Sequence, residues 1–109
     1  SGLFGCTLQM NNIVTEEKLK KYFAVTKEAL EKAKNAVDSS RREQAEDFLD
    51  MASRYYQDAN YFFFEKKDAV LAFAAINYAH GWLDAGARAG LFKVKDNRLF
   101  TVDHYPKDS

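Results

Sequence analysis

The chain has 109 residues, 47% of them hydrophobic and 15% aromatic, which suits one domain with a single buried core. Its 16 basic and 16 acidic residues give a formal net charge of zero and are interleaved along the chain, which argues against nucleic acid as a partner. The uncharged run 69–83 is shorter than the about 20 residues of a membrane-spanning helix, which argues against a membrane protein. The single cysteine, Cys6, cannot form an internal disulfide, so we expect a cytoplasmic location.

Residues 1–14 show no helical periodicity and are predicted to form a flexible extension. Met10 fits a native start, so residues 1–9 are interpreted as vector-derived or as an upstream extension. After this extension we expect a helical bundle domain over residues 15–92 and a C-terminal tail over residues 93–109.

The first predicted helix begins at Thr15, a residue type that caps helix N-termini well. Glu16 and Glu17 follow in the first turn, where the helix dipole favours negative charge. From there apolar residues recur at spacings of three and four, which predicts an amphipathic helix with one buried stripe. The stripe consists of Leu19, Tyr22, Phe23, Thr26, Leu30, Ala33 and Val37.

The second predicted helix begins at a capping box, in which Ser40 bonds the amide of Glu43 and the Glu43 side chain reaches back. It is expected to run to about Glu65 and has the clearest periodicity in the chain. Its predicted core face consists of Ala45, Phe48, Leu49, Ala52, Tyr55, Tyr56, Ala59, Phe62 and Phe63.

The third predicted helix, about Ala69 to Ala89, follows a short connection whose last residue, Asp68, is a good N-cap. So short a connection joins neighbouring helices antiparallel. The helix is apolar nearly all round, which is typical of the central element of a bundle, and Gly90 suits the left-handed turn that ends it. The predicted fold class is all-α: a three-helix antiparallel bundle with a helix-hairpin core.

In the tail, Phe92 and Val94 alternate with polar residues, and Phe100 and Val102 do so again after a turn at Asp96. This pattern fits either a short hairpin or an extended segment. Because an isolated two-stranded hairpin is marginally stable, we expect the tail to pack against the helices.

A polar stripe on the third predicted helix is the candidate site: Asn77, His80, Asp84 and Arg88 fall along one side of the helical wheel. His80 and Asp84 are four residues apart, as are Asp84 and Arg88, so a hydrogen-bonded chain through all three is geometrically available. Such a chain would orient the imidazole as a general acid requires, or it would simply satisfy its own polar groups within the bundle. The second, structural interpretation is favoured, and no residue is assigned as catalytic.

No cofactor and no metal are expected. Di-iron bundles need Glu-x-x-His pairs, whereas Asn77 stands three residues before His80, and the other histidine, His104, lies in the tail. The five glycines are scattered, and no glycine-rich phosphate-binding loop is present.

The aromatic run Tyr61–Phe64 covers more than one face of a helix. Phe62 and Phe63 are predicted to point to the core, which leaves Tyr61 and Phe64 as a candidate interaction surface. An apolar edge of this kind is typical of a homo-oligomer or of a protein that docks a protein partner.

The stretch 45–94 carries a resemblance to a known family, above all in residues 78–86, which read YAHGWLDAG, and in residues 58–62 and 68–73 before them. These residues resemble the archaeal family known as domain of unknown function 357. The resemblance covers about half of the chain. It implies a compact helical fold in a cytoplasmic protein, and it implies no established activity and no catalytic residues.

A looser resemblance is to HEPN-type helical domains, which include RNases and partners of nucleotidyltransferases. Those nucleases carry an arginine and then a histidine on one helix, whereas here His80 precedes Arg88. The reversed order argues against RNase activity.

The first functional hypothesis is a non-enzymatic protein-interaction or self-association module, because the charges are balanced, catalytic motifs are missing and aromatic surface is in surplus. The alternative is an HEPN-like nucleic-acid-processing or toxin–antitoxin component that uses His80, Asp84 and Arg88. A third option is a small-ligand pocket between the second and third predicted helices, near Trp82.

Overall fold

The computed structural model describes residues 12–101, and this part of the chain folds into three α-helices with no β-strand. The prediction of an all-α three-helix bundle is confirmed. The interpretation of residues 1–9 and the last part of the predicted tail, from residue 102, lie outside the described residues. The elements in chain order are α1 (Glu16–Lys34), a 3-10 turn (Ser39–Arg41), α2 (Arg42–Asn60), a π-helical turn (Tyr61–Glu65) and α3 (Ala69–Arg88).

α1 begins as its sequence predicts. The Thr15 side-chain oxygen accepts a hydrogen bond from the Lys18 backbone N–H at 3.1 Å, which satisfies one of the free amides of the first turn. The buried side chains recur at helical spacing and therefore lie on one face: Leu19, Phe23, Thr26, Ala29, Leu30 and Ala33.

The start of α2 differs from the predicted capping box. Asp38 Oδ1 accepts hydrogen bonds from the Ser40 hydroxyl at 2.8 Å and from the Ser40 backbone N–H at 3.0 Å, and together they lower the pKa of Asp38. Asp38 thus takes the Ser40 backbone N–H that the Glu43 side chain would accept in a capping box, and Ser40 lies in a 3-10 turn before the helix. The N-cap position falls on Arg41, which makes no side-chain capping bond. The Arg41 guanidinium instead donates to the Ala89 carbonyl at the end of α3, at 2.8 Å.

The α2–α3 connection reverses the chain within three residues. In the π-helical turn the Lys66 N–H donates to the Tyr61 carbonyl at 3.2 Å, and Lys67 then adopts the left-handed conformation with φ 54°. Asp68 Oδ1 accepts from the Leu71 N–H at 3.0 Å and caps α3 as predicted. The predicted helix hairpin is therefore confirmed at its junction.

The core consists of two clusters, and their membership shows that α2 runs antiparallel to both other helices. One cluster joins the beginnings of α1 and α3 to the end of α2; its members are Leu19, Phe23, Ala59, Ala72, Ala75 and Ile76. The other joins the ends of α1 and α3 to the beginning of α2 and includes four residues that follow α3; its members are Ala29, Leu30, Ala33, Ala45, Leu49, Ala52, Leu83, Leu91, Phe92, Leu99 and Phe100.

α3 ends in a left-handed turn at Gly90, whose φ is 78°, as predicted. The Leu91 N–H donates to the Gly86 carbonyl at 2.8 Å and the Gly90 N–H to the Ala87 carbonyl at 3.1 Å, which is the pattern of a Schellman motif. This turn directs the following chain back along the bundle.

Residues 91–101, called the C-terminal segment below, return along the bundle and make a turn at 97–99, so the predicted packing of this part against the helices is observed. The choice between a hairpin and an extended tail stays a prediction, because the second half of the predicted hairpin continues beyond residue 101. The segment pairs with the α1–α2 connection: the Asp38 N–H donates to the Leu91 carbonyl at 2.8 Å, and the Lys93 N–H donates to the Ala36 carbonyl at 2.7 Å. A Cβ built on Gly86 would lie 2.2 Å from Cε2 of Phe92 in this segment. The Phe92 ring therefore occupies the space that any larger side chain at Gly86 would need.

Asp96 fastens the C-terminal segment to α1. Its carboxylate accepts from Lys32 Nζ at 3.0 Å and from the Arg98 backbone N–H at 2.9 Å, and the Lys32 ammonium is the main reason that the pKa of Asp96 lies below its ordinary value of 3.8. The Arg98 guanidinium donates to Glu28 at 2.8 Å. The C-terminal segment and α1 are thus linked by two ion pairs.

We expect Gly86→Ala to lower stability by about 1–3 kcal/mol, because the added methyl group overlaps the Phe92 ring in a packed core. Thermal unfolding followed by circular dichroism should show a Tm drop of about 4–8 °C per kcal/mol. The double variant Gly86→Ala/Phe92→Leu should lose less than the sum of the two single variants, because the smaller side chain relieves the overlap. Strict additivity would contradict the close contact.

We expect stability to fall as the pH drops below about 4, because a carboxyl whose pKa is lower in the folded than in the unfolded state stabilises the fold only while ionised. The contribution is fully present above the unfolded pKa and is lost as the pH passes down through the folded pKa. Thermal melts across this range should show a shallower acid loss for Asp96→Asn than for the wild type. Identical pH profiles would argue against the Asp96 contacts.

Candidate functional site

The predicted polar stripe lies along the side of α3 that faces α1 and the C-terminal segment. Asn77 is exposed, His80 and Asp84 are partly buried, and Arg88 is exposed in the last helical turn. The structure brings His80 and Asp84 together with residues that are distant in sequence.

His80 has a partner on each ring nitrogen. Nε2 lies 2.7 Å from the Leu99 carbonyl oxygen, and Nδ1 lies 3.0 Å from the Thr26 hydroxyl oxygen. Because a carbonyl oxygen can only accept, Nε2 carries the proton, and in the neutral imidazole Nδ1 then accepts from the Thr26 hydroxyl. The hydroxyl of Thr26, which is 2% exposed, is thereby satisfied within the core.

Asp84 holds the end of the C-terminal segment. Its Oδ1 accepts from the Thr101 backbone N–H at 2.8 Å, and its Oδ2 accepts from the Thr101 hydroxyl at 3.2 Å. The distance from His80 Nε2 to Asp84 Oδ1 is 3.7 Å, which is longer than a hydrogen bond. The predicted hydrogen bond between these two side chains is therefore replaced by bonds from each of them to the C-terminal segment.

These contacts give His80 and Asp84 a positioning role in the fold. A groove of about 250 Å³ lies beside them, between α1 and α3, and is lined by Tyr22, Val25, Thr26, Asn77, His80, Gly81 and Asp84. For His80 to exchange a proton with a molecule in this groove, it would have to give up either Thr26 or the Leu99 carbonyl. The geometry supports attachment of the C-terminal segment more directly than acid–base chemistry.

Within residues 12–101, no group of three or more His, Cys, Asp or Glu side chains is arranged to hold a metal ion. No helix in the same range is both long and apolar enough to cross a bilayer.

The aromatic run divides between core and surface in the predicted way. Phe62 and Phe63 are half-buried, and the Phe63 ring packs against the Phe23 ring of α1 with 5.7 Å between ring centroids. Tyr61 and Phe64 remain 48% and 56% exposed. A groove of about 350 Å³ next to Phe64 is lined by Phe63, Phe64, Glu16, Lys20, Lys67 and Ala69.

A larger apolar surface lies on the exposed side of α3, next to its contact with α2. We call it the outer face of α3; it consists of Val70, Leu71, Ala74, Tyr78, Gly81 and Ala85, all of them exposed. Val70 is 73% and Tyr78 54% exposed. Sequence reasoning missed this surface because it placed the helix at the centre of the bundle, although the uncharged run 69–83 was its signal.

A shallow groove runs along the outer face of α3, with a volume of about 370 Å³ and with Tyr78, Gly81, Trp82 and Ala85 as its lining. The two aromatic rings that line this groove contact α2. Tyr78 packs edge-on against Tyr55 with 4.4 Å between ring centroids, and Trp82 packs edge-on against Phe48 with 5.0 Å between them. The space near Trp82, where a ligand pocket between helices was one option, therefore opens outward.

Comparison with known families gives one match: the model described as "Protein of unknown function (DUF357)" matches residues 21–92, which is more than half of the chain. The matched range includes all of α2 and α3 and most of α1. The comparisons with curated proteins and with solved structures gave no match.

We expect Thr26→Val to lower stability by about 1–3 kcal/mol, because it keeps the side-chain shape and leaves His80 Nδ1 without its donor. Chemical denaturation measures this loss. Long-range nitrogen NMR of the imidazole should show the Nε2–H tautomer in wild type and variant, because the Leu99 carbonyl remains. An Nδ1–H tautomer in the wild type would contradict the assignment.

Proposed function

Since the chain belongs to the DUF357 family, whose description gives no activity, we propose its function from the geometry: a non-enzymatic module that associates with itself through the outer face of α3. The observation that carries this proposal is the exposure of large apolar side chains on a helix without charged residues from Ala69 to Leu83. An exposed apolar patch of this kind on a small protein is typical of an interaction surface.

The contrast with the other two helices supports the proposal. The exposed sides of α1 and α2 carry mostly lysine, arginine, glutamate and aspartate, in ion pairs such as Glu16–Lys20 and Asp50–Arg54. Water solvates such faces well. On α3 the corresponding side offers Val70, Leu71 and Tyr78 to water, which costs free energy unless another surface covers them.

Tyr61 and Phe64 belong to the same proposal as a second, smaller surface. They lie at the end of the bundle, where Phe64 borders the beginning of α1, and thus apart from the centre of the outer face of α3. We treat them as an additional contact that a partner chain covers.

The alternative, an HEPN-like nucleic-acid-processing component, would use His80, Asp84 and Arg88. It gains no support from a histidine whose two ring nitrogens are engaged by Thr26 and Leu99. The cytoplasm of an archaeal cell stays the expected setting, on the basis of the single cysteine and of the family resemblance.

We expect the wild-type protein to sediment as an assembly larger than its 12.5 kDa chain, in a concentration-dependent way. Ala74→Glu places a charge within the outer face and should weaken association at least about tenfold, which corresponds to about 1.4 kcal/mol. Ala24→Glu is the matched control, because it makes the same change at an exposed position of α1. Sedimentation velocity over a dilution series measures the association of the wild type and of both variants.

Phe64→Glu in the same series tests the second surface, and we expect a smaller weakening than for Ala74→Glu. A wild-type protein that remains a single chain at every concentration would contradict the proposed function. Equal behaviour of Ala74→Glu and Ala24→Glu would show that the outer face of α3 takes no part.

A further inference from the structure

The outer face of α3 carries a regular seam. Its residues at positions 71, 74, 78, 81 and 85 recur at alternating spacings of three and four, which is the spacing of residues that face a partner helix. From Leu71 to Ala85 the seam extends about 21 Å, at a rise of 1.5 Å per residue. All five positions are exposed.

Within residues 12–101, no contact explains the glycine at position 81 in the middle of this seam. A Cβ built there meets nothing within 4 Å, whereas a Cβ on Gly86 collides with Phe92. A glycine inside a helix makes that helix less stable than an alanine would, because glycine loses more backbone entropy on folding. The missing side chain at Gly81 leaves a notch on the outer face, directly beside the exposed Tyr78 ring.

Four of the five seam positions, all except Leu71, are also symmetric about the midpoint between Ala79 and His80. Tyr78 and Gly81 are equally distant from this point, and so are Ala74 and Ala85. If a second α3 is laid antiparallel against the first about this midpoint, Tyr78 of each helix lies opposite Gly81 of the other. Each Tyr78 side chain then faces the space at Gly81 of the other helix, and Ala74 of each helix faces Ala85 of the other.

We propose that two copies of this chain pair through the outer faces of α3, antiparallel and centred between Ala79 and His80, so that Tyr78 of each copy fills the notch at Gly81 of the other. This inference rests on the proposed self-association and specifies its partner surface. The occupant is a second copy because the face is self-complementary in shape and, between Ala69 and Leu83, carries no charge that a like surface would repel.

The size of the contact sets the expected strength. In this register the two seams overlap from position 74 to position 85, over about 16 Å, and with a width of about 10 Å they bury well under the about 1,200 Å² that separates weak from stable complexes. Small residues at the seam allow the helix axes to approach to about 8 Å. A reversible dimer fits such a contact better than a permanent one.

Disulfide trapping tests the register. In a Cys6→Ser background, Ala74→Cys and Ala85→Cys are prepared as separate proteins and mixed under mild oxidation. The antiparallel register brings position 74 of one copy opposite position 85 of the other, within reach of a disulfide, whereas the two copies of position 74 lie about 16 Å apart along the axis. We expect cross-linked dimers in the mixture and almost none with either protein alone. Ala24→Cys mixed with Ala85→Cys is the control.

Gly81→Ala provides a second test, because it should raise the stability of the single chain and weaken dimerisation. In dilute solution it should raise Tm by about 4–8 °C, because alanine favours the helix. At high concentration it should weaken dimerisation at least about tenfold, because the methyl group fills the notch that Tyr78 enters. If Gly81 served only the fold of one chain, Gly81→Ala would change Tm without weakening dimerisation.

The outcomes distinguish the proposed self-association from the antiparallel register. A chain that sediments as a monomer contradicts the proposed self-association and this inference with it. A dimer that cross-links at position 74 with itself, or that Gly81→Ala leaves unchanged, contradicts the antiparallel register alone. Cross-linking of the mixed pair together with weakened dimerisation of Gly81→Ala supports it.

Discussion

Phe92 packs so closely on the backbone of Gly86 that no side chain fits between them, and the course of the chain after α3 depends on this contact. The left-handed turn at Gly90 directs the chain back, and the buried Phe92 ring then holds it against the bundle. Only because the C-terminal segment returns in this way do Leu99 and Phe100 reach the core. The hydrogen bonds of the polar stripe to this segment follow from the same contact.

Local features of the fold could be predicted because they depend on neighbours in sequence. The caps at Thr15 and Asp68 and the turn at Gly90 are of this kind. The capping box failed because Asp38, two residues before Ser40, accepts the Ser40 N–H that Glu43 would have accepted and caps a 3-10 turn there. The partners of His80 lie 54 and 19 residues away, so helical spacing could group the stripe but could not identify what it binds.

The uncovered side of α3 shows a different limit of sequence patterns. An apolar circumference indicates that a helix is covered on all sides, but it does not say whether the covering surface belongs to the same chain. With three helices, α1 and α2 cover one side of α3, and the family match extends over this whole arrangement. The same property that suggested a central helix is therefore the basis for the proposed interface between chains.

The way the C-terminal segment is fastened has a consequence for local opening. Its surface links, Lys32–Asp96 and Glu28–Arg98, are exposed ion pairs that added salt weakens, while the burial of its apolar anchors Leu99 and Phe100 is not screened by salt. Detachment of the segment uncovers the Leu30 side of the core and leaves the imidazole of the polar stripe to water. Amide hydrogens along the segment should thus exchange faster than those in the middle of α3, as a cooperative unit of their own.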